Sequence, residues 1–232
     1  MRHLFLVTIC SAAAIVGAGC GSDTTSPPAV VELVIAPVAS GNGQSGVVGT
    51  PLGNNLRVLV TRNSLPYAGA SVRWSTAAGN GVIAPAVATA GDDGIALASW
   101  TMPTTSGTLA ASAAVDGAEG SPVAFTATAV AGPATSFDLL AGNNQVVAVG
   151  ATAPEPLTVR MQDTYGNPVV GVAVNWTVFA GTATLSASSV ETGPSGAASV
   201  EVTAGATPGA VVIRAIPGVA LPAVDFGLTV TP

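Results

Sequence analysis

Along much of the chain, apolar and polar residues alternate with a period of two, the mark of strands that bury one face. Leu157, Val159 and Met161 alternate with Thr158, Arg160 and Gln162, and Val172, Val174, Trp176 and Val178 alternate with Ala173, Asn175 and Thr177. An earlier stretch reads the same way: Leu56, Val58 and Val60, then Ala70, Val72 and Trp74, fall inward, while Arg57, Arg73 and Ser75 fall outward. Turn chemistry separates the runs. Tyr165-Gly166-Asn167-Pro168, Asp92-Asp93-Gly94 and Pro194-Ser195-Gly196 supply the left-handed and fixed-φ positions that tight turns require. The pattern predicts many short strands and no mainly helical fold.

These stretches are copies of one another. Gln44, Gly49 and Leu56 stand 101 residues before Gln145, Gly150 and Leu157. Pro66, Gly69, Val72, Trp74, Gly79, Gly94, Thr101 and Gly107 stand 102 before Pro168, Gly171, Val174, Trp176, Gly181, Gly196, Thr203 and Gly209, and Phe125 to Phe226 returns to 101. A one-residue length change in a turn near 63–65, and a second late in the copy, accounts for the drift. A period of about 100 residues is the size of a whole β-sandwich domain. The expected division is therefore a domain at 31–131 and another at 132–232, each of about seven strands. Between Phe125–Val130 and Thr135–Leu140 lies only Ala131-Gly132-Pro133-Ala134. With Pro133 fixing its φ, so short a linker leaves the two little freedom to fold back on one another.

The second copy, from Leu157 to Val230, resembles the bacterial immunoglobulin-like domain of group 1, the invasin and intimin type. The likeness rests on D-x-x-G-N-P-V-x-G-V-x-V-x-W, present as Asp163, Gly166, Asn167, Pro168, Val169, Gly171, Val172, Val174 and Trp176, and on the later T-x-x-x-G-x-A as Thr192, Gly196 and Ala198. The first copy is a worn version, with Asn63-Ser64-Leu65-Pro66-Tyr67 at the turn but Gly69, Val72 and Trp74 kept. The resemblance implies an all-β protein of two tandem Ig-like antiparallel sandwiches, end to end, and a stalk-like or adhesive role at the cell surface. In that family such repeats commonly space a head from the cell; the sequence ends at Thr231-Pro232 directly after the last expected strand, which leaves host-cell adhesion in doubt.

The amino terminus adds a location. Met1-Arg2-His3 precedes an apolar stretch, Leu4 to Ala18, and small residues lead to Cys20, an arrangement expected of a signal peptide at 1–19. Its end resembles the bacterial lipobox, although Gly17 stands where that motif usually has Leu, Val or Ile. The resemblance implies that Cys20 carries the lipid and becomes the new amino terminus; the alternative is plain secretion with Cys20 as a free thiol. Residues 20–30, polar and Pro-containing, read as a tether. Gly21 follows the cysteine, where an Asp would signal inner-membrane retention, so the expected place is the outer membrane. After the leader no apolar run approaches the ~20 residues a membrane-spanning helix needs, so the mean hydropathy of +0.60 reflects strands.

Charge and residue inventory then narrow the chemistry. The chain has no lysine and, once Arg2 is removed, five arginines against twelve carboxylates. So acidic a surface does not suit nucleic acid, which demands clustered cations. Without its leader the chain has no histidine and one cysteine, which excludes triads, His- or Cys-ligated zinc and lysine-dependent phosphate loops. No catalytic residue, cofactor or metal is expected. Carboxylate-only glycoside hydrolysis needs a facing pair, and most carboxylates here stand alone. Gly41-Asn42-Gly43-Gln44-Ser45-Gly46 matches G-x-G-x-x-G, but Gly49, Pro51 and Gly53 prevent the helix that would hold a pyrophosphate. Asp92, Asp93 and Asp163 have the oxygens for calcium, yet they stand where turns use Asp for local hydrogen bonds. Asn175-Trp176-Thr177, a formal glycosylation acceptor, falls on a strand and reads as coincidence. Trp74 and Trp176 are expected as core aromatics, as is Trp100, unless it stands exposed as a stacking platform. The expected partners are the membrane, through the lipid, and an envelope protein or a glycan. A carbohydrate- or cell-wall-binding module using Trp100, Tyr67 or Tyr165 is the alternative to the stalk; solvent exposure of these three aromatics separates the two readings.

Overall fold

The computed structural model describes residues 31–38 and 41–232, so the signal peptide, Cys20 and the tether expected at 20–30 lie outside the described residues. Every regular element described is a β-strand. The first copy contains β1 (Leu33–Pro37), β2 (Gln44–Val47), β3 (Leu56–Arg62), β4 (Leu65–Pro66), β5 (Ser71–Thr76), β6 (Val82–Ala84), β7 (Val87–Thr89), β8 (Ile95–Thr101), β9 (Gly107–Ala114) and β10 (Val123–Val130). The second contains β11 (Ala134–Ala141), β12 (Gln145–Ala148), β13 (Leu157–Asp163), β14 (Ala173–Ala180), β15 (Ala183–Leu185), β16 (Ser189–Glu191), β17 (Ala197–Val200), β18 (Val202–Ala204), β19 (Gly209–Pro217) and β20 (Val224–Thr231).

In the first copy β1-β3-β8-β6, with β4 on β3, face β2-β10-β9-β5-β7; in the second β11-β13-β17 and β15-β18 face β12-β20-β19-β14-β16. The pairs are antiparallel except β2 on β10 and β12 on β20, which are parallel. The opening strand of each copy thus changes sheet part-way, which adds a strand to the expected seven. The two-residue β4 and the split of a strand into short pieces on different sheets (β6 and β7, β15 and β16) account for most of the rest. Alternation detects long half-buried strands and is blind to two- or three-residue edge pieces.

The inward positions form two separate cores. Leu56, Val58, Val60, Val72, Trp74, Trp100 and Phe125 belong to one, and Leu157, Val159, Met161, Val174, Trp176, Ile213 and Phe226 to the other. In each, the tryptophan on the third long strand packs against the phenylalanine near the end of the copy, Trp74 on Phe125 and Trp176 on Phe226, both with centroids 5.6 Å apart.

Several repeated polar residues turn out to be fasteners. Gln44 donates to the carbonyls of Gly41 and Asn54 and accepts from the Asn54 N–H. Gln145 does the same with Gly142 and Glu155, so the G-x-G-x-x-G match is part of a loop clamp. Thr192 is buried and its hydroxyl accepts from the Val172 N–H. Gly196 has φ 73°, and a Cβ there would lie 2.4 Å from the Met161 carbonyl oxygen. Gly150 has nearly the same φ, 71°, but open space around it. Gly196→Ala is therefore expected to cost about 2–4 kcal/mol and Gly150→Ala about 1, a difference that urea unfolding of the two variants will resolve.

Candidate functional site

The most built-up polar cluster lies where the two copies meet. β11 runs antiparallel to β13, with Ala134 opposite Asp163, so the end of β13 and the turn after it stand beside the linker. That turn is the D-x-x-G-N-P motif. In the first copy Asn63 and Ser64, both at positive φ, form a two-residue loop between Arg62 and Leu65, as a tight hairpin requires. In the second the Asp163 N–H reaches the Asn167 carbonyl, enclosing a three-residue loop with Gly166 at φ 82°. This extra residue is the length change near 63–65, and it places Asp163 and Asn167 where the first copy has Arg62 and Leu65.

Asp163 and Asn167 are both buried. One Asp163 oxygen accepts the N–H groups of Tyr165 (2.8 Å) and Asn167 (2.9 Å). The other accepts the linker N–H of Gly132 and the Asn167 side-chain amide, each at 2.9 Å. Asn167 then reaches into the first sandwich: its amide donates to the Thr104 carbonyl, and its Oδ1 accepts the Ser106 N–H, both at 2.8 Å. The loop between β8 and β9 is thus clasped to the turn after β13, with the linker tied to the same carboxylate. Burial alone pushes the Asp163 carboxyl up, but the Asn167 side chain and the N–H groups of Gly132, Asn167 and Tyr165 together hold it below its ordinary value. Ser106 has Pro208 as its counterpart in the second copy. Proline has no N–H to donate, so the receiving half of the clasp is not repeated there.

The other expected residues are scattered. Trp100 is fully enclosed in the first core, where its indole N–H donates to the Asn80 carbonyl. Tyr67 is half-buried, with the Arg62 guanidinium 3.7 Å above its ring. Tyr165 is 54% exposed, and its hydroxyl lies near Gly49 of the first sandwich. The three do not converge on one surface suited to stacking a sugar. Asp93 accepts the Ile95 N–H within its turn. Sequence reasoning read Asp163 as a turn residue with the oxygens for calcium and Asn167 as part of the same turn motif, and gave neither a role between the two copies. The signal it passed over was that the turn lengthens and turns polar in the copy that follows another.

The fold and the joint define a protein of tandem Ig-like β-sandwiches. Residues 136–221 match the model of the bacterial Ig-like domain (group 1). Among solved structures, Yersinia pseudotuberculosis InvD is 20% identical with a TM-score of 0.57, over 87% of this chain and 57% of that one. The Escherichia coli adhesin FdeC is 20% identical with a TM-score of 0.51, over 87% and 64%. The D0-D1 domain of intimin is 20% identical, over 84% and 98%, with a TM-score of 0.35. Likeness at such identity describes the fold alone, and this chain spans about three fifths of the InvD and FdeC chains. No curated protein matches the chain.

Proposed function

We propose that the protein is a non-enzymatic envelope lipoprotein in which Cys20 carries the lipid and the two sandwiches form a stiff stalk that presents a contact surface to a protein partner. The clasp is the observation that carries this reading. A joint in which one buried Asp–Asn pair ties turn, linker and neighbouring loop together restricts relative motion of the domains, which a spacer needs and a loose linker does not provide. Asp163 spends both its oxygens on N–H donors of the joint. Gly21 after the cysteine favours the outer membrane.

The anchor is tested by metabolic labelling with an alkynyl fatty acid. The wild-type chain is expected to take up label and Cys20→Ser to take up none, because lipidation starts on that thiol; the chains it carries then hold the protein to the membrane at ~0.8 kcal/mol per buried CH₂. A wild-type protein that is exported without label contradicts the lipoprotein reading.

A further inference from the structure

On the outer face of the first sandwich Arg57 of β3 lies directly across from Leu97 of β8. At the same places in the second sandwich Thr158 lies across from Ser199, and their hydroxyls bond each other at 3.0 Å. One copy therefore closes this surface with a self-satisfied pair. The other leaves a guanidinium whose Nε is enclosed and meets no hydrogen-bond partner among the described residues. Two other arginines are engaged with carboxylates, Arg73 with Asp116 and Arg214 with Asp225, and Arg62 covers Tyr67. Beside Arg57 is a hollow of about 520 Å³ whose lining includes Pro85, Val87, Asp93, Ile95 and Leu97. A second hollow of about 380 Å³, with Asn54 and Asn55, shares Arg57 and Leu97 with it. Val87 and Leu97 are exposed to solvent, and the residues 102 positions on are Ser189 and Ser199. The apolar wall, like the cation, belongs to the first copy alone.

The Arg57 guanidinium, shared by both hollows, offers a planar fork of donors that matches a carboxylate. The walls beside it combine the aliphatic Pro85, Val87, Ile95 and Leu97 with Asp93, Asn54 and Asn55, and their lining includes no aromatic platform of the kind on which sugars stack. We propose that this groove binds an extended peptide segment of a partner protein, with an acidic side chain on Arg57 and a neighbouring aliphatic side chain against Val87, Ile95 and Leu97. The proposal rests on the reading of the chain as a protein-contact module and names the chemistry of the contact.

The full chain, methyl-labelled, is titrated with an acetylated, amidated Ser-Val-Glu-Val-Ser peptide, with its Gln counterpart, and with a glucuronate-bearing disaccharide. The Glu peptide is expected to give saturable shifts at the methyls of Val87, Ile95 and Leu97, and the Gln peptide to bind about tenfold more weakly, as loss of one charge-assisted contact implies. The double variant Arg57→Thr, Leu97→Ser installs the pair that the second sandwich already accommodates, and it is expected to abolish the shifts while the Trp100 indole resonance stays in place. Absence of saturable shifts in the wild type, equal binding of the Glu and Gln peptides, binding that survives the double variant, or binding of the uronate without the peptide each overturns the proposal. Fatty-acid labelling at Cys20 is independent of all four outcomes, so failure of the groove and failure of the lipoprotein reading remain distinguishable.

Discussion

Trp176→Ala is expected to melt the second sandwich while the first keeps its fold. Trp176 is fully enclosed against Phe226 in a core that shares no residue with the one around Trp74 and Phe125. Truncating so large a buried side chain costs about 3–5 kcal/mol, a large part of the ~5–15 kcal/mol that a domain of this size possesses. The chain has three tryptophans, and the variant retains only Trp74 and Trp100, both in the first core. Its fluorescence therefore reports the first sandwich alone, while circular dichroism follows both. Fluorescence is expected to keep its wild-type denaturation midpoint as part of the dichroism signal is lost at lower denaturant. A fluorescence midpoint that falls with the dichroism would mean that the two cores unfold as one. Trp176→Phe is expected to be much milder, because the Trp176 indole N–H meets no acceptor among the described residues and its loss strands no partner.

The second large effect is at the joint. Asp163→Ala removes a buried carboxylate and leaves the backbone N–H groups of Gly132, Tyr165 and Asn167 without an acceptor, while the Asn167 side-chain amide keeps only the Thr104 carbonyl. Hydrogen bonds to a buried charge contribute enough that the second sandwich is expected to lose about 3 kcal/mol. Because the folded carboxyl is held below its ordinary value of 3.8, its contribution is fully present above that value and is lost as pH falls through the lower, folded one. Wild type and Asp163→Ala are accordingly expected to converge in stability as acid is added, and to stay apart from pH 5 upward. A constant difference across a urea titration series taken down through that range would show that the carboxylate charge has no part in the joint.

Much of the fold was legible because half-buried strands write their geometry into a period of two. Leu56, Val58 and Val60, and again Leu157, Val159 and Met161, are all buried, and the offsets of 101 and 102 trace to one loop of two residues and another of three. Short edge strands such as β4 and β6 escaped, since two or three residues carry no periodicity. The roles of Asp163 and Asn167 escaped for a different reason. Turn propensity explains an Asp and an Asn at a turn completely, so nothing local asks for a second role, and the partners Thr104, Ser106 and Gly132 lie 31 to 63 residues away in sequence. Arg57 escaped similarly: an outward arginine on an alternating strand is unremarkable until its cross-strand neighbour proves to be Leu97.

The central claim, that the clasp makes the two sandwiches behave as one jointed body, is tested most directly by residual dipolar couplings of the aligned chain. Couplings from both sandwiches of the wild type are expected to fit a single alignment tensor. In Asn167→Leu, which places at the clasp the residue type found at Leu65, they are expected to require two tensors of different magnitude with each fold unchanged. Two tensors in the wild type, or a single shared tensor that persists in Asn167→Leu, would contradict the account.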